Sequence, residues 1–476
     1  MIKNFFHKEY TLKEFFVELP IFFIFIYTYI LRFFVADPEE FNGNLFSVFI
    51  FFVIFIVLLF YLLTEKHELY LLTWISFYFA SPIIKLPFTE IGSLGILLGI
   101  FLPLMLIKFF DFNDLKNKYF LIIIFFSFYS FIHLSNAELR TIISDYIEVI
   151  TPLIFFYYAK KKVVNSDLII NYSVLVALFY LPLGIYEFLF KPQWGGLTDW
   201  RGYRIFGNLF WHNSYAFYLL PFIVIEYAKI RKNISFNLSL FKKEEFSKPI
   251  FKFFKINNKR YVIKHLIIFV IFVFLTFLTF SRNGLLTMIL TLIFFESVLN
   301  SGFRINKKKI LMVVIFLMFL FLYLIFADKL GNRFKPDSID ERTEIWISLL
   351  PLIKDNLVFG YGLGSYELFR ENVVRSLSSH NYYLFLIFTT GVIGLLFILY
   401  FIYLILSQYN YSIQNDTFLD DSNVSNFKYE RKFYYGEVGL SILFGILIYS
   451  LFGNAAFTHV VSLNAWILLG VCINDS

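Results

Sequence analysis

The sequence predicts an all-α, polytopic integral membrane protein with one long polar loop, and its composition and apolar runs support that prediction. Hydrophobic residues make up 59% of the 476 residues, and charged residues make up only 16%. The mean hydropathy is +0.69, and apolar runs long enough for a membrane-spanning helix recur along the chain. A soluble protein of this length could not bury so much apolar surface. The single cysteine, Cys472, excludes a disulfide framework within one chain.

Fourteen apolar runs predict the order of the helices. They divide the chain into a helical region over 1–327, a polar loop over 328–381 and C-terminal helices over 382–476. The predicted spans are 14–34, 45–63, 68–84, 91–109, 118–134, 141–159, 167–190, 209–229, 261–280, 283–299, 309–327, 382–407, 438–456 and 458–473.

The positions of Lys and Arg predict the orientation of these spans. With the amino terminus in the cytoplasm, 28 of the 42 basic residues fall on the cytoplasmic side and 14 on the outer side, seven of them in the 328–381 loop. Short outer loops thus carry little positive charge, as the positive-inside rule requires. The loop 328–381 is therefore expected outside the cytoplasm. The first apolar run lacks a small-residue cleavage site after it, so we expect a retained helix and not a signal peptide.

The connection 230–260 is basic and carries interleaved aromatic residues. Such a segment can bind nucleic acid or anionic lipid. In a chain of membrane helices, a topology anchor that rests on the lipid headgroups explains it better, and we expect no nucleic-acid partner. No internal repeat is visible by eye, which weakens the hypothesis of a transporter with inverted repeats.

Arginines next to helix ends gather in three segments on the expected outer side. Guanidinium groups bind phosphate oxygens in pairs and keep their charge at physiological pH, so three arginines returning to one face predict a diphosphate site. Ser281 can cap the helix that follows it, which would place free N–H groups beside Arg282. An arginine that only extends to the membrane interface is the alternative. The candidate residues are Arg201, Arg204, Asn208, His212 and Asn213 in the first segment, Arg282 in the second, and Arg342, Tyr361, His380 and Asn381 in the long loop.

His380 is the candidate proton acceptor, because a helix N-terminus disfavours an imidazolium and keeps the ring neutral. An interfacial histidine without a chemical role is the alternative, and His212 is its nearest competitor. The segment FGYGLGSY, with Gly360, Gly362 and Gly364, predicts a turn that allows close backbone packing, since no strand–helix unit surrounds it.

Carboxylates inside the spans are a further set of candidates. Asp145, Glu148 and Glu187 fall near the outer side. Such carboxylates either take part in the function of the protein or form an ion pair with an outer arginine. No His/Asp/Glu cluster has the spacing of metal ligands, so we expect neither a metal nor another cofactor.

Three motifs resemble those of the O-antigen ligase and polymerase superfamily of bacterial envelope proteins. They are RGYRIFGNLFWHNSYA, FSRNGLL, and the series RTEIWISLLPLIKDNLVFGYGLGSY followed by SSHNYYLFLIFTTGVIGLL. The third has the family's order of Arg-x-x-x-Trp, Gly-x-Gly and His-Asn before a glycine-containing span. The resemblance covers roughly 200–410, and GNLFWHN lacks the Asn-Pro-Asn of many members.

The resemblance implies a GT-C-like membrane fold with about 12–14 helices in the bacterial cytoplasmic membrane. It implies transfer of a glycan from a polyprenyl (undecaprenyl) diphosphate-linked donor to a lipid A-core or another envelope acceptor, with inversion and without a metal. Arg204 and Arg282 would stabilise the leaving diphosphate, and His380 would take the proton of the attacking hydroxyl. Membrane lipids are the remaining expected partners.

Ligase, polymerase and protein O-oligosaccharyltransferase activities share these motifs, and the His-Asn pair favours the ligase. A flippase for lipid-linked glycans is the alternative outside the enzymes. It would place charged residues in the middle of the bundle, whereas this sequence collects polar groups at one surface.

Overall fold

The structure of the protein is a computed structural model that describes most of the predicted spans and part of the long loop. The described residues are 45–80, 93–109, 111–132, 135–190, 197–199, 202–205, 212–236, 254–256, 259–299, 337–369, 381–417, 426–451, 453 and 459–473.

Fourteen α-helices run through the described ranges, together with a 3-10 turn at Phe112–Lys116. The helices are α1 Leu45–Leu63, α2 His67–Ala80, α3 Ser93–Phe109, α4 Lys118–Ile132, α5 Leu139–Lys162, α6 Ser166–Phe190, α7 His212–Lys232, α8 Lys259–Leu278, α9 Arg282–Leu299, α10 Asp337–Asp355, α11 Ser365–Phe369, α12 Tyr382–Thr417, α13 Asn426–Ser450 and α14 His459–Cys472.

The predicted polytopic membrane fold built from α-helices is confirmed, with two pairs of very short strands beside the helices. Each predicted span that falls within the described residues coincides with a helix, and only the predicted spans 14–34 and 309–327 lie outside them. Four of the described helices, α5, α6, α8 and α12, are long and apolar enough to cross a membrane. Five shorter apolar helices accompany them, at Val48–Leu63, Gly95–Lys108, Lys118–Ile132, Tyr435–Ser450 and Ser462–Cys472.

Small residues set the closest helix contacts, as they do where apolar helices pack in a membrane. A Cβ at Gly470 of α14 would lie 2.4 Å from the carbonyl oxygen of Phe156 in α5. A Cβ at Gly284 of α9 would lie 2.4 Å from the Cβ of Ala216 in α7. These contacts bring α5 against α14 and α7 against α9.

Two short antiparallel hairpins interrupt the helices. In the first, β1 (Leu197–Asp199) pairs with β2 (Gly202–Arg204). In the second, β3 (Ile234–Phe236) pairs with β4 (Phe254–Ile256) within the basic connection 230–260. The sequence analysis predicted neither hairpin.

The described part of the predicted long loop contains α10 and α11. Ile345, Leu349 and Ile353 follow one another at four-residue spacing and form a buried stripe along α10. The helix packs on α12. The side of the membrane on which this loop lies stays a prediction.

Two buried carboxylates, Glu226 of α7 and Glu296 of α9, have charged partners. They lie at the end of the bundle that we expect to face the cytoplasm. Glu226 accepts hydrogen bonds from Lys229 at 2.9 Å and lies 2.5 Å from Nδ1 of His265. Glu296 of α9 accepts from Nε of Arg231 at 2.9 Å. Buried charges in a bundle need such partners, so these pairs connect α7, α8 and α9 at the end of the bundle away from the outer arginines.

Candidate functional site

The turn between α8 and α9 carries Arg282 and is built around a helix cap. Ser281 lies just before α9, and its Oγ accepts the N–H of Gly284 at 3.0 Å. The preceding Phe280 has a φ of +50°, an uncommon conformation for a residue with a side chain. The expected cap at Ser281 is confirmed, and Arg282 is the first residue of the helix that it caps.

The Ser281 hydroxyl also connects this turn to α7. It donates a hydrogen bond to Oδ1 of Asn213 at 2.7 Å, while the carbonyl oxygen of Asn213 accepts the hydroxyl of Tyr449 at 2.6 Å. Asn213 was a predicted binding residue and Tyr449 was not. The two bonds join the beginnings of α7 and α9 to the end of α13.

Asn283 connects α9 directly to α13. Its Nδ2 donates to the carbonyl oxygen of Tyr449 at 3.3 Å, and its Oδ1 accepts from Thr287 at 3.2 Å. Tyr449 is fully buried, and a buried tyrosine generally uses its hydroxyl as a polar handle. We refer to Asn213, Ser281, Asn283 and Tyr449 as the polar junction.

The polar junction brings two of the predicted arginines to one end of the bundle. Arg282 belongs to the capped turn itself, and the charge of Arg342 on α10 acts on the Tyr449 hydroxyl. Both arginines keep part of their side chains exposed. Positive charge from two separated segments therefore lies next to uncharged hydrogen-bonding groups, an arrangement that suits an anionic ligand.

The first hairpin carries Arg204 to the same end. The N–H of Ile205 donates to the carbonyl oxygen of Leu278, the last residue of α8, at 3.5 Å, and the Ile205 side chain is fully buried. The backbone next to Arg204 thus contacts Leu278, which precedes Arg282 by four residues in the chain. For Arg204 and His212 the structure gives only the backbone positions, at the end of β2 and the start of α7.

Three of the predicted site residues lie outside the described residues, namely Arg201, Asn208 and His380. Asn381, which follows His380, caps α12: its Oδ1 accepts the N–H of Leu384 at 3.1 Å. The position of His380 in the chain is therefore immediately before a capped helix N-terminus, and its chemical role stays a prediction.

The glycine-rich segment of the long loop docks on a break in α12. Gly391 has φ +67° and ψ −172°, so the helix bends there and the usual pairing of the N–H groups of Val392 and Ile393 is lost. These groups donate instead to the carbonyl oxygens of Leu357 and Val358, at 2.9 and 3.4 Å.

The glycine-rich segment also donates two backbone hydrogen bonds to α12. The N–H groups of Tyr361 and Gly362 donate to the carbonyl oxygens of Phe388 and Thr389, at 2.9 and 2.8 Å. Backbone groups that a kink leaves unpaired inside a bundle need such replacements. The predicted turn for close backbone packing is confirmed, because Gly360, Gly362 and Gly364 all have positive φ.

Tyr361, a predicted binding residue, packs in this docked turn. Its ring lies 4.9 Å from that of Phe369 and 5.1 Å from that of Phe388, between centroids. Burial, together with the Asp355 carboxylate, raises the pKa of Tyr361. Its hydroxyl therefore stays protonated at neutral pH and can donate a hydrogen bond.

The carboxylate of Asp145 contacts the same loop from α5. Its Oδ2 accepts the N–H of Gly364 at 2.8 Å, so this carboxylate has a backbone partner in the loop. Glu148 lies one turn further along α5, and both carboxylates act electrostatically on the buried Tyr382 at the start of α12. The neighbouring Tyr383 donates to the carbonyl oxygen of Leu447 at 3.0 Å. The beginning of α12 thus lies between the carboxylates of α5 and the end of α13.

Within the described part of the chain, no group of three or more His, Cys, Asp or Glu side chains could hold a metal ion. The positive charge near the polar junction is that of the guanidinium groups of Arg282 and Arg342.

The fold and the site together define a polytopic helical membrane protein with arginine-bearing helix ends grouped at one end of its bundle. Residues 267–399 match the model of the family described as O-Antigen ligase. This match supports the O-antigen ligase superfamily that the motifs indicated, and it contains the second and third motifs but not the first. A search of curated proteins found no match to the chain.

Sequence reasoning missed Tyr449 and Asn283. Tyr449 contacts Asn213, which is 236 positions away in the chain. No local pattern marks that pairing. The only signal for Tyr449 was its place near the outer end of a predicted span, while Asn283 directly follows the singled-out Arg282.

Proposed function

We propose that the protein transfers a glycan from a polyprenyl diphosphate-linked donor to an envelope acceptor at the outer face of the cytoplasmic membrane, as an O-antigen ligase does. The observation that carries this proposal is the polar junction, whose hydrogen bonds join the capped N-terminus of α9, where Arg282 lies, to α7 and α13. The family match over 267–399 supports glycan transfer in general.

The arginines are proposed to bind the donor diphosphate. Arg282 stands at the N-terminus of α9, where free N–H groups and the helix dipole favour negative charge. Arg342 and Arg204 would add guanidinium groups from two further segments, with Arg201 as a fourth candidate. Negative charge grows on the diphosphate as it leaves, so these groups would stabilise the transition state without a metal.

His380 is proposed as the base. The acceptor hydroxyl oxygen attacks the anomeric carbon, the bond from that carbon to the diphosphate oxygen breaks, and the electron pair leaves with the diphosphate. The hydroxyl proton passes to the imidazole of His380. Attack from the face opposite the leaving group inverts the anomeric centre. Asn381, Asn208, Asn213, His212 and Tyr361 are the proposed hydrogen-bonding residues for the sugars or the diphosphate.

Purified protein in proteoliposomes, supplied with a polyprenyl diphosphate-linked glycan, tests the proposal. Three acceptors separate the activities that share these motifs: lipid A-core for a ligase, a second lipid-linked glycan for a polymerase, and a serine-containing peptide for a protein oligosaccharyltransferase. We expect transfer to lipid A-core. Movement of the donor across the membrane without any transfer would instead show a flippase and contradict the proposal.

A further inference from the structure

The turn that joins α10 to the glycine-rich segment has an exposed apolar surface. Its side chains Leu357, Val358 and Phe359 are 47, 53 and 55% exposed. The sequence places them in the polar loop 328–381, where water would surround them. Three consecutive exposed apolar residues are out of place on a surface in water and mark contact with protein or lipid.

The position of this turn along α12 places it below the membrane surface. Its carbonyl groups pair with Val392 and Ile393, ten and eleven residues after α12 begins at Tyr382, or roughly 15 Å along the helix axis. The spanning stretch Tyr382–Tyr409 has 28 residues and is thus roughly 42 Å long, whereas the hydrocarbon core is about 30 Å thick. If the excess is shared between the two ends of the stretch, the turn lies roughly 9 Å inside the hydrocarbon.

Helix α4 gives a second, independent measure of depth. The hydroxyl of Tyr129, three residues before α4 ends at Ile132, donates to the carbonyl oxygen of Thr390 at 2.7 Å and lies 3.2 Å from that of Phe359. The neighbouring Phe128 of this apolar helix is exposed. An aromatic side chain so exposed on a membrane helix contacts acyl chains, because water is absent there. The surface of the turn therefore continues the lipid-facing surface of α4.

The backbone of the turn is bonded as a segment in hydrocarbon must be, since groups that water does not reach need partners in the protein. The carbonyl oxygens of Leu357 and Val358 accept from α12, and that of Phe359 accepts from Tyr129. The N–H of Gly360 donates to the carbonyl oxygen of the residue four before it, at 2.8 Å, and the next two N–H groups donate to α12.

Charged side chains mark where the apolar surface ends. Lys354 and Asp355, in the last turn of α10, are exposed, as is Glu344 eleven residues before Asp355. A lysine can extend its ammonium group along an apolar surface to reach the headgroups. Helix α10 therefore leads from polar residues, suited to water and headgroups, to a turn suited to acyl chains.

We propose that residues 357–362 form a re-entrant segment, which enters the membrane and leaves it on the same side, and that the side chains of Leu357, Val358 and Phe359 contact the acyl chains of bilayer lipids. Bilayer lipid is the occupant that fits, because the surface lies at acyl-chain depth and is continuous with that of α4. The Gly-x-Gly part of the third motif then lies within the membrane and not in the water above it. This placement does not depend on the reaction proposed for the protein.

Fluorescence quenching of single-cysteine variants tests this placement. In full-length protein carrying Cys472→Ala, a dye is attached to Val358→Cys or Phe359→Cys, and the protein is reconstituted into phosphatidylcholine vesicles with or without bromine on the acyl chains. We expect bromine to reduce the emission of both labels as strongly as that of a label at Leu396→Cys, an exposed position in the spanning part of α12. Glu344→Cys, exposed on the polar part of α10, is the control and should keep its emission.

Two outcomes would overturn the proposal. Labels at Val358→Cys and Phe359→Cys that respond to bromine as little as the Glu344→Cys label would place the turn in water. Pyrene excimer emission from Val358→Cys, with no effect of bromine, would show that a second copy of the chain covers the surface in place of lipid. Both introduced cysteines replace exposed side chains, and if one variant does not fold, the other decides alone.

Discussion

Gly360 of the long loop and Gly391 of α12 meet backbone against backbone. A Cβ at Gly360 would lie 2.6 Å from the amide nitrogen of Gly391, and a Cβ at Gly391 would lie 2.2 Å from the carbonyl oxygen of Val358. Gly391 is nine residues after the start of α12 at Tyr382, roughly 13 Å along the helix axis. The loop that carries the third motif is therefore anchored well inside the bundle.

This contact predicts that Gly391→Ala destabilises the protein strongly. Alanine would clash with Val358 and would occupy a backbone region that glycine alone adopts readily, at a cost of roughly 1–3 kcal/mol before the clash is counted. Thermal unfolding in detergent measures the effect. Gly99→Ala is the control, because its nearest neighbour outside the helix would be 3.6 Å away. A Gly391→Ala protein as stable as the control would contradict the backbone contact.

Removing the cap of α9 tests the polar junction. Ser281→Ala loses both the cap to Gly284 and the hydrogen bond to Asn213, and we expect a cost of about 1–2 kcal/mol. Ser297→Ala, within the same helix and bonded only to the Ile293 carbonyl oxygen, should cost less. Equal unfolding midpoints of the two variants would argue against the junction as a stabilising element.

The pH dependence of stability should include Asp114. Burial alone would raise the pKa of Asp114, but hydrogen bonds from Lys161, Tyr157 and the N–H of Asp111 outweigh it and lower the pKa below its ordinary value. The unfolded chain then binds the proton more readily, so this contribution is present above the ordinary pKa of about 4 and is lost as the pH falls through the lowered one. Asp114→Asn should flatten the loss of stability in acid. Unfolding midpoints between pH 3 and 6 that fall equally in the variant and the parent would contradict this.

The helix pattern was largely predictable from the sequence, because apolar runs in a membrane protein leave few alternatives to a helix. The predicted span 45–63 has the bounds of α1, and α12 differs only in continuing past the predicted 407 through polar residues to Thr417. Polar residues can extend a helix beyond the apolar run, so hydropathy alone does not mark its end.

The site was predictable only in part. The helix cap at Ser281 and the close backbone packing at the glycine turn are local features. Both could be predicted from residues that are neighbours in the sequence. The exchange of four hydrogen bonds between 357–362 and 388–393 could not, because it depends on a kink and a loop meeting in space. The hairpin at Arg204 was missed for a similar reason: its strands are three residues each, too short for a periodic signal.

The diphosphate assignment predicts that charge alone is insufficient at Arg282 and Arg204. Replacing either with Lys keeps the charge but removes the paired donors of the guanidinium, so transfer and donor binding should both fall steeply while the protein still inserts. Arg260→Lys is the control, since Arg260 is exposed at the start of α8, far along that helix from Leu278. Near-normal transfer in both Arg282→Lys and Arg204→Lys would refute the assignment.

The turnover of His380→Ala tests the central claim, glycan transfer by a base next to α12, most directly. A positioned base typically contributes about 10²–10⁴-fold in rate, so turnover in proteoliposomes should fall by about that factor while donor affinity stays nearly unchanged. His212→Ala is measured beside it, because His212 begins α7, directly before Asn213 of the polar junction, and is the competing histidine. Full activity in His380→Ala, with loss in His212→Ala, would contradict the account and move the base to α7.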